Sequence, residues 1–320
     1  MKAVAYSVRS FEREFLAKAN QKKHDITLIT NSLSQETALY AEGKKAVIVF
    51  SNDDVSASII EQLAGFGVKY IITRSTSTDH IDQVAAAKHS IKIANVPSYS
   101  PQAMAEHAVS LAFALKRHVI VADRHSPYFD FRNEELLGYT FSGKTVGLIG
   151  LGSMGLAAAR IFNGLGCNVI AYDPLFPNGA KKVSQVTLAD LLATSDIISL
   201  NLPLTVNTKY MINKNTLEQM KTGVMLINTS PAGLIDTNDV IAALDSGKIG
   251  YLGIDVYEHR HQLLFEDHEY ENIKDALLEK LLQHVHVIVT PHQAYLTKEA
   301  LKEIASQTIE NLDELGVNLE

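Results

Sequence analysis

The chain has 320 residues, too many for one ordinary domain and enough for two. Its net charge of −7 argues against nucleic acid as a partner, and 46% apolar against 20% charged residues excludes a disordered chain. The single cysteine, Cys167, excludes an intramolecular disulfide or a cysteine-built metal site, and no apolar run reaches the roughly 20 residues of a membrane span. The N-terminus turns charged before a signal-peptide core can form, so a cytoplasmic setting away from membranes is the expectation.

Short strands and helices alternate through the first hundred residues. MKAVAYS is a strand candidate, 11–20 has helical spacing, 25–30 alternates as a strand and 45–50 is an apolar run. Helical 56–66, strand 70–73, helical 82–89 and strand 91–95 follow. Apolar runs this short between helices indicate a parallel sheet covered on both faces. A long helix is expected over 101–121, with Pro101 in its first turn and Glu106 near its positive end. Its apolar positions run nearly all round, which suggests burial between domains or subunits. From Lys144 the alternation restarts: strands at KTVGLIG, CNVIAYD, DIISLNLP, GVMLINT, KIGYLGIDVY and HVIVTPH, helices at SMGLAAARIFNGLG, 188–193, 216–220 and 237–246, and a last helix over 298–315. The fold class is α/β, with two Rossmann-like doubly wound sheets.

Gly150-Leu-Gly152-Ser-Met-Gly155 follows the strand KTVGLIG and opens an Ala-rich helix. The first glycine allows the tight turn, the second lets a diphosphate approach the backbone, and the third lets helix and strand pack closely. The N–H groups of Ser153 and Met154 stand at the helix's positive end. Asp173, eighteen residues past Gly155, suits a ribose hydroxyl pair and would repel a 2′-phosphate, so NAD is the expected cofactor. Ligands of such sheets bind at the carboxyl ends of the strands. These ends bring Leu202, Pro203, Thr229, Ser230, Pro231, Asp255 and His292 to the cofactor site, together with Thr208 in the loop after Pro203.

The runs NVPSYSPQAMAEHAV, KTVGLIGLGSMG, GVMLINTS, KIGYLGIDVYE, LFEDH and VTPHQAYLTKEAL, in this order over nearly the whole length, resemble the D-2-hydroxyacid dehydrogenases, closest to the bacterial fermentative D-lactate dehydrogenases. The resemblance implies two domains with a cleft between them: a discontinuous substrate domain of 1–98 plus 296–320 and an NAD-binding domain of 99–295. It also implies a homodimer, a small anionic substrate, and hydride transfer between NAD(H) and a 2-hydroxy or 2-oxo acid. His292 falls on the family's acid–base position, Ser77 and Thr78 on its substrate loop, and Tyr99 and Tyr295 on its substrate pocket.

The sequence departs from the family at three substrate-facing positions. Pro231 stands where the motif has the substrate-gripping Arg, Arg260 where it has the Glu that partners the His, and Ser77 where it usually has Gly. Losing a bidentate grip on a carboxylate costs on the order of a thousandfold in rate. A guanidinium beside His292 also disfavours the imidazolium. Three readings stay open: a retuned enzyme in which Arg260 anchors the carboxylate and Glu258 partners His292, a silent NAD-binding homologue, and an NAD enzyme for a substrate without a carboxylate at that place. Arg74 could serve an anionic ligand or a surface ion pair, and His107 reads as structural. The histidines 259, 261 and 268 read as a solvated loop rather than a metal site.

Overall fold

The computed structural model describes residues 1–97, 99–177, 180–258 and 274–317. The chain divides into two compact units, Met1–Ser100 with Tyr295–Glu320, and Pro101–Ala294.

The first unit begins β1 (Lys2–Ala5), α1 (Arg13–Asn20), β2 (Asp25–Leu28), β3 (Ala46–Val49), α2 (Ala57–Gly65), β4 (Tyr70–Thr73), α3 (Gln83–Lys88) and β5 (Lys92–Ala94). Its five strands lie parallel in the order β2-β1-β3-β4-β5. β3 and β4 are buried along their whole length, as strands covered on both faces must be.

The second unit holds α4 (Pro101–Lys116), α5 (Val119–His125), β6 (Thr145–Ile149), α6 (Ser153–Gly164), β7 (Asn168–Tyr172), β8 (Ser184–Gln185), α7 (Leu188–Thr194), β9 (Ile197–Leu200), α8 (Lys214–Gln219), β10 (Val224–Asn228), α9 (Thr237–Asp245), β11 (Ile249–Ile254), α10 (Ala276–Gln283) and β12 (Val287–Val289). Its seven strands are parallel in the order β12-β11-β10-β9-β6-β7-β8. The order reverses at β6, between β6 and β9, the switch point at whose carboxyl ends such sheets bind ligands. The chain then returns to the first unit as α11 (Lys298–Val317), which packs on α1 and β4. Ala305, Ile309 and Leu312 of α11 share a core with Ala3, Ala5, Leu16, Ile48 and Ile72.

Three expectations change. The helix expected over 101–121 ends at Lys116: His118 adopts a left-handed conformation (φ 49°) and Val119 starts a separate short helix. The β-branched run Val119-Ile120-Val121 gives little intrinsic support for continuing α4. Glu106 lies in the second turn rather than the first, where it accepts from the Gln102 side chain four residues back. Within its own unit α4 packs apolar residues against α6, β10 and β11. α10 had no counterpart in the sequence reading. Its signals are present, though: Asp275 caps the N–H groups of Leu277 and Leu278, and Leu277, Leu278 and Leu281 share one face.

Candidate active site

β6 and α6 build the glycine turn. Gly150 sits at φ +92°, where a side chain is strained, and a Cβ there would stand 2.4 Å from the Asn201 carbonyl oxygen after β9. A Cβ on Gly155 would stand 2.2 Å from the Gly150 carbonyl oxygen. Around Gly152, by contrast, a Cβ would meet nothing within 4 Å. The turn is therefore tight on its protein side and open on the other. It leads into α6, whose first residues are Ser153 and Met154. Asp173 follows β7, and its carboxylate accepts from Leu151 N at 2.6 Å and from Leu175 N at 2.7 Å. It thus holds the glycine turn in shape and keeps lone pairs for a ribose. An open cradle of main-chain N–H groups at a helix N-terminus, with a carboxylate at the next strand end, fits a dinucleotide diphosphate and ribose.

The loops after β9 and β10 continue this edge. Leu202 is buried, Pro203 and Thr208 belong to an exposed turn, and the Thr208 hydroxyl donates to Pro203 O at 2.8 Å and accepts from Thr205 N at 2.7 Å. Thr229 and Ser230 are buried, with the Ser230 hydroxyl donating to Leu200 O at 2.9 Å and so tying β10 to β9. Pro231 precedes a short 3-10 turn over Ala232–Leu234.

Asp255, after β11, is 1% exposed and organises the histidine loop. It accepts from the Thr290 hydroxyl at 2.5 Å and from Gln293 N and Ala294 N at 2.9 Å each. His107 Nε2 on α4 lies 3.0 Å from the Thr290 hydroxyl and 3.4 Å from Asp255, the structural role expected of it. Burial pushes the Asp255 carboxyl up, but the bonds from His107, Thr290, Ala294 and Gln293 outweigh it, and the net shift is downward. Within this frame His292 takes a left-handed backbone (φ 54°), its N–H donating to Asp255 O at 2.9 Å. A non-glycine residue held this way is over-determined by its surroundings, as functional residues often are.

Glu258 is held by two hydroxyls. Its oxygens accept from the Tyr210 hydroxyl in a very short hydrogen bond and from the Thr237 hydroxyl at 3.1 Å. Arg260 and histidines 259, 261 and 268 lie outside the described residues.

In the first unit, Tyr295 is 5% exposed and packs edge-on to Tyr99 at 6.1 Å between ring centroids and against Phe50 at 5.7 Å. Burial above all, with Glu12 second, raises its hydroxyl's pKa. Ser77 and Thr78 stand in the loop after β4, which Asn95 braces by donating to Thr76 O at 2.7 Å. The Ser77 hydroxyl caps Asp79 N and the Thr78 hydroxyl accepts from the Gln83 side chain. Arg74, at the root of this loop, is fully buried and paired with Glu12; it also donates to Tyr6 O at 2.7 Å and Ser7 O at 3.2 Å. An ion pair is what the structure shows, but it is buried and not the surface pair expected. The sequence reading missed Glu12, Thr290 and Gln293; only the fold brings these to their partners.

A doubly wound parallel sheet with this cradle defines a dinucleotide-binding unit, here joined to a second parallel α/β unit. Residues 109–294 match the family described as D-isomer specific 2-hydroxyacid dehydrogenase, NAD binding domain. The chain is 41% identical over 319 residues to 2-hydroxyacid dehydrogenase A of Aspergillus oryzae, covering 98% of this chain and 92% of the relative. It is 39% identical to the D-lactate dehydrogenase of Escherichia coli, covering 98% and 97%. The solved structure of a pyruvate reductase of Chlamydomonas reinhardtii superposes with a TM-score of 0.94 at 40% identity, covering 99% of this chain and 97% of that one. The chain belongs to the D-2-hydroxyacid dehydrogenase family, and its second unit is the NAD-binding domain.

Proposed function

We propose that the chain reduces a small 2-oxo acid, pyruvate or a near relative, to the D-2-hydroxy acid, with His292 as the acid–base. The observation that carries this reading is the anchoring of His292 by Asp255 at the carboxyl edge of the NAD-binding sheet. The names of the similar proteins, D-lactate dehydrogenase and pyruvate reductase, support the substrate. Bound NADH supplies the hydride for the carbonyl carbon. His292 delivers the proton to the carbonyl oxygen, a task suited to a side chain that titrates near neutrality. Gly150, Gly152, Ser153, Met154 and Gly155 would hold the diphosphate and Asp173 the ribose, while Leu202, Pro203, Thr208, Thr229, Ser230, Pro231 and Asp255 border the cofactor. In this reading residues 1–98 and 296–320 form the substrate domain and 99–295 the NAD domain.

Pro231 brings no cation to the substrate, so carboxylate binding falls to the loop of Ser77 and Thr78 and to Arg260, with Tyr99 and Tyr295 walling the pocket. Glu258, engaged by Tyr210 and Thr237, is left out of the proton chemistry. A cytoplasmic homodimer completes the reading. It is supported by the exposed Val119 and Ile120 of α5 and by Tyr128, Phe129, Phe131 and Leu137 just beyond, an apolar patch that a monomer rarely leaves open. A second reading, NAD binding without turnover, is favoured by Pro231.

The test is NADH oxidation across a panel of 2-oxo acids with NADH binding measured in parallel. Turnover that falls about 10²–10⁴-fold in His292→Gln, with NADH binding kept, is the expected result. Binding without turnover on any member hands the case to the silent reading. Sedimentation of the wild type against Phe129→Ser/Phe131→Ser tests the dimer.

A further inference from the structure

Behind the end of α4 lies a group of basic side chains that the proposed reaction does not use. Lys116 is 4% exposed. Its Nζ sits 3.2 Å from the ring centroid of Tyr139 and 4.7 Å from that of Tyr251, and donates to the Tyr251 hydroxyl at 3.3 Å. His118, 8% exposed, has its ring 6.0 Å from Tyr251 and 6.2 Å from His286. His286 lies 5.2 Å from Tyr251 and 5.8 Å from His284, and its Nδ1 is buried with no hydrogen-bond partner among the described residues. The other charged groups near this cluster, among the described residues, include Lys144, Arg124, His125, Glu135 and, acting on Tyr139, Asp196. Of these, Glu135 is the carboxylate in the lining of an adjoining cavity of about 600 Å³, among the described residues. Lys144 stands over the Tyr139 ring and adds to the positive side.

The place of His286 in the sheet gives this cluster a lever. His286 O accepts from Leu252 N at 2.9 Å, the first rung between β11 and β12. Among the described residues β12 is an edge strand of three residues that pairs with β11 alone. About 13 Å along the chain from His286, at roughly 3.3 Å per residue, comes Thr290, with His292 two residues further. The rung and the histidine loop are thus two ends of one short, singly paired strand.

We propose that Lys116, His118, His284 and His286 are positioning residues for His292, arranged so that a proton taken up by the imidazole cluster loosens the first rung of β12 and shifts the loop that holds the catalytic histidine. The inference rests on the acid–base reading of His292. Burial, then His284, His118 and Lys116, lowers the pKa of His286, and burial, then Lys144, brings Lys116 down to about 8. Lys116 is therefore charged at neutral pH, and a proton on His286 enters beside a fixed positive charge. The sign follows: the folded state resists a proton that the unfolded chain accepts below its ordinary 6.5, so the penalty grows as the pH falls through that value.

The test uses the full chain and compares wild type with His286→Asn, which cannot titrate, and Lys116→Met, which removes the fixed charge. Exchange of the Leu252 amide, corrected for the intrinsic pH dependence, reports the rung; kcat and KM for pyruvate with NADH report the site. Between about pH 7.5 and pH 5.5, Leu252 protection should fall in the wild type, because the lowered His286 pKa makes the penalty grow through that range. It should hold steady in His286→Asn and fall less in Lys116→Met. The acid limb of kcat, not of KM, should move to lower pH in both variants. Superimposable exchange profiles overturn the proton device. A rung that responds while the kcat limb stays put overturns its coupling to His292. A chain without turnover sinks the acid–base reading and the positioning role with it, while Leu252 exchange still decides whether the rung responds to protons.

Discussion

The two sheets finish their strands in opposite ways. In the NAD-binding unit the strand ends leave main chain open at Gly152. Side chains are withdrawn at Gly150, Gly152 and Gly155, and the carboxylates present, Asp173 and Asp255, grip backbone N–H groups to keep the loops in shape. In the first unit the strand ends close on each other through buried charge. Asp53 accepts from Phe50 N at 2.6 Å, Leu33 N at 2.7 Å and the Ser7 hydroxyl at 2.7 Å, while Arg74 ties Glu12 to the carbonyls of Tyr6 and Ser7. The ends of β1, β3 and β4 are locked by side chains from far along the chain. The glycine turn stays open by lacking side chains, as a diphosphate site requires; the other unit spends its charges on rigidity.

The sharpest way to break this contrast is to remove one buried charge. Arg74→Met leaves Glu12, 6% exposed, without its cation, and should cost about 3–5 kcal/mol of unfolding free energy. The double variant Arg74→Met/Glu12→Leu removes both charges and should recover much of that loss. Denaturant titration of the three proteins checks it; a double variant as unstable as the single one would mean that the carbonyl bonds to Tyr6 and Ser7, not the ion pair, hold the strand ends.

The glycine cradle should respond differently at two neighbouring positions. Gly155→Ala drives a methyl into the Gly150 backbone and should cost about 3 kcal/mol, at the upper end of overpacking. Gly152→Ala meets no protein atom within 4 Å, so the fold should keep its stability while NADH binding weakens at least about tenfold, or 1.4 kcal/mol. Thermal unfolding and NADH titration separate the two outcomes.

This contrast also explains what could be read from the sequence. The cradle is local: Gly150, Gly152, Gly155 and Asp173 fall within one βαβ unit, and each residue's task follows from its spacing. The parallel sheets were legible for the same reason, since β3, β4, β9 and β10 are short and wholly apolar or nearly so. The partner of Arg74 was not legible, because Glu12 lies 62 residues away and only the sheet order brings β1 beside the path to β4. The end of α4 escaped too. Its apolar pattern runs on past Lys116, and a left-handed turn at a histidine has no strong local signature. The partners of Glu258 were not legible either: its carboxylate accepts from hydroxyls on Tyr210 and Thr237, 48 and 21 residues away.

Asp255 tests how far the NAD-binding unit depends on a carboxylate gripping backbone. Asp255→Asn keeps the shape but gives up charge-assisted acceptance from Thr290, Gln293 and Ala294, and should cost about 1.5–3 kcal/mol. In the wild type its pKa is lowered in the folded state, so its stabilisation is present above the ordinary 3.8 and is lost as the pH falls from there through the lower folded value. The acid unfolding limb of Asp255→Asn should therefore be shallower than that of the wild type. Equal slopes would move the acid sensitivity to another carboxylate.

The smallest effect marks where gripping backbone stops mattering. Asp196 repeats the device near the start of β6, accepting from Thr145 N at 2.9 Å and pairing with Lys221 at 3.0 Å, but the side chains are 29% and 42% exposed. Burial raises its pKa, and the bonds from Thr145 and Lys221 more than reverse this, so its contribution too is lost in acid. Solvent and salt screen an exposed pair, and Lys221→Met should cost no more than about 0.5 kcal/mol, a loss that shrinks further in high salt. Asp196→Asn should cost more, because it also weakens the bond to Thr145 N, which salt does not reach. If the two variants prove equal, the ion pair carries the whole effect, and gripping the backbone stabilises only where the carboxylate is buried, as at Asp255.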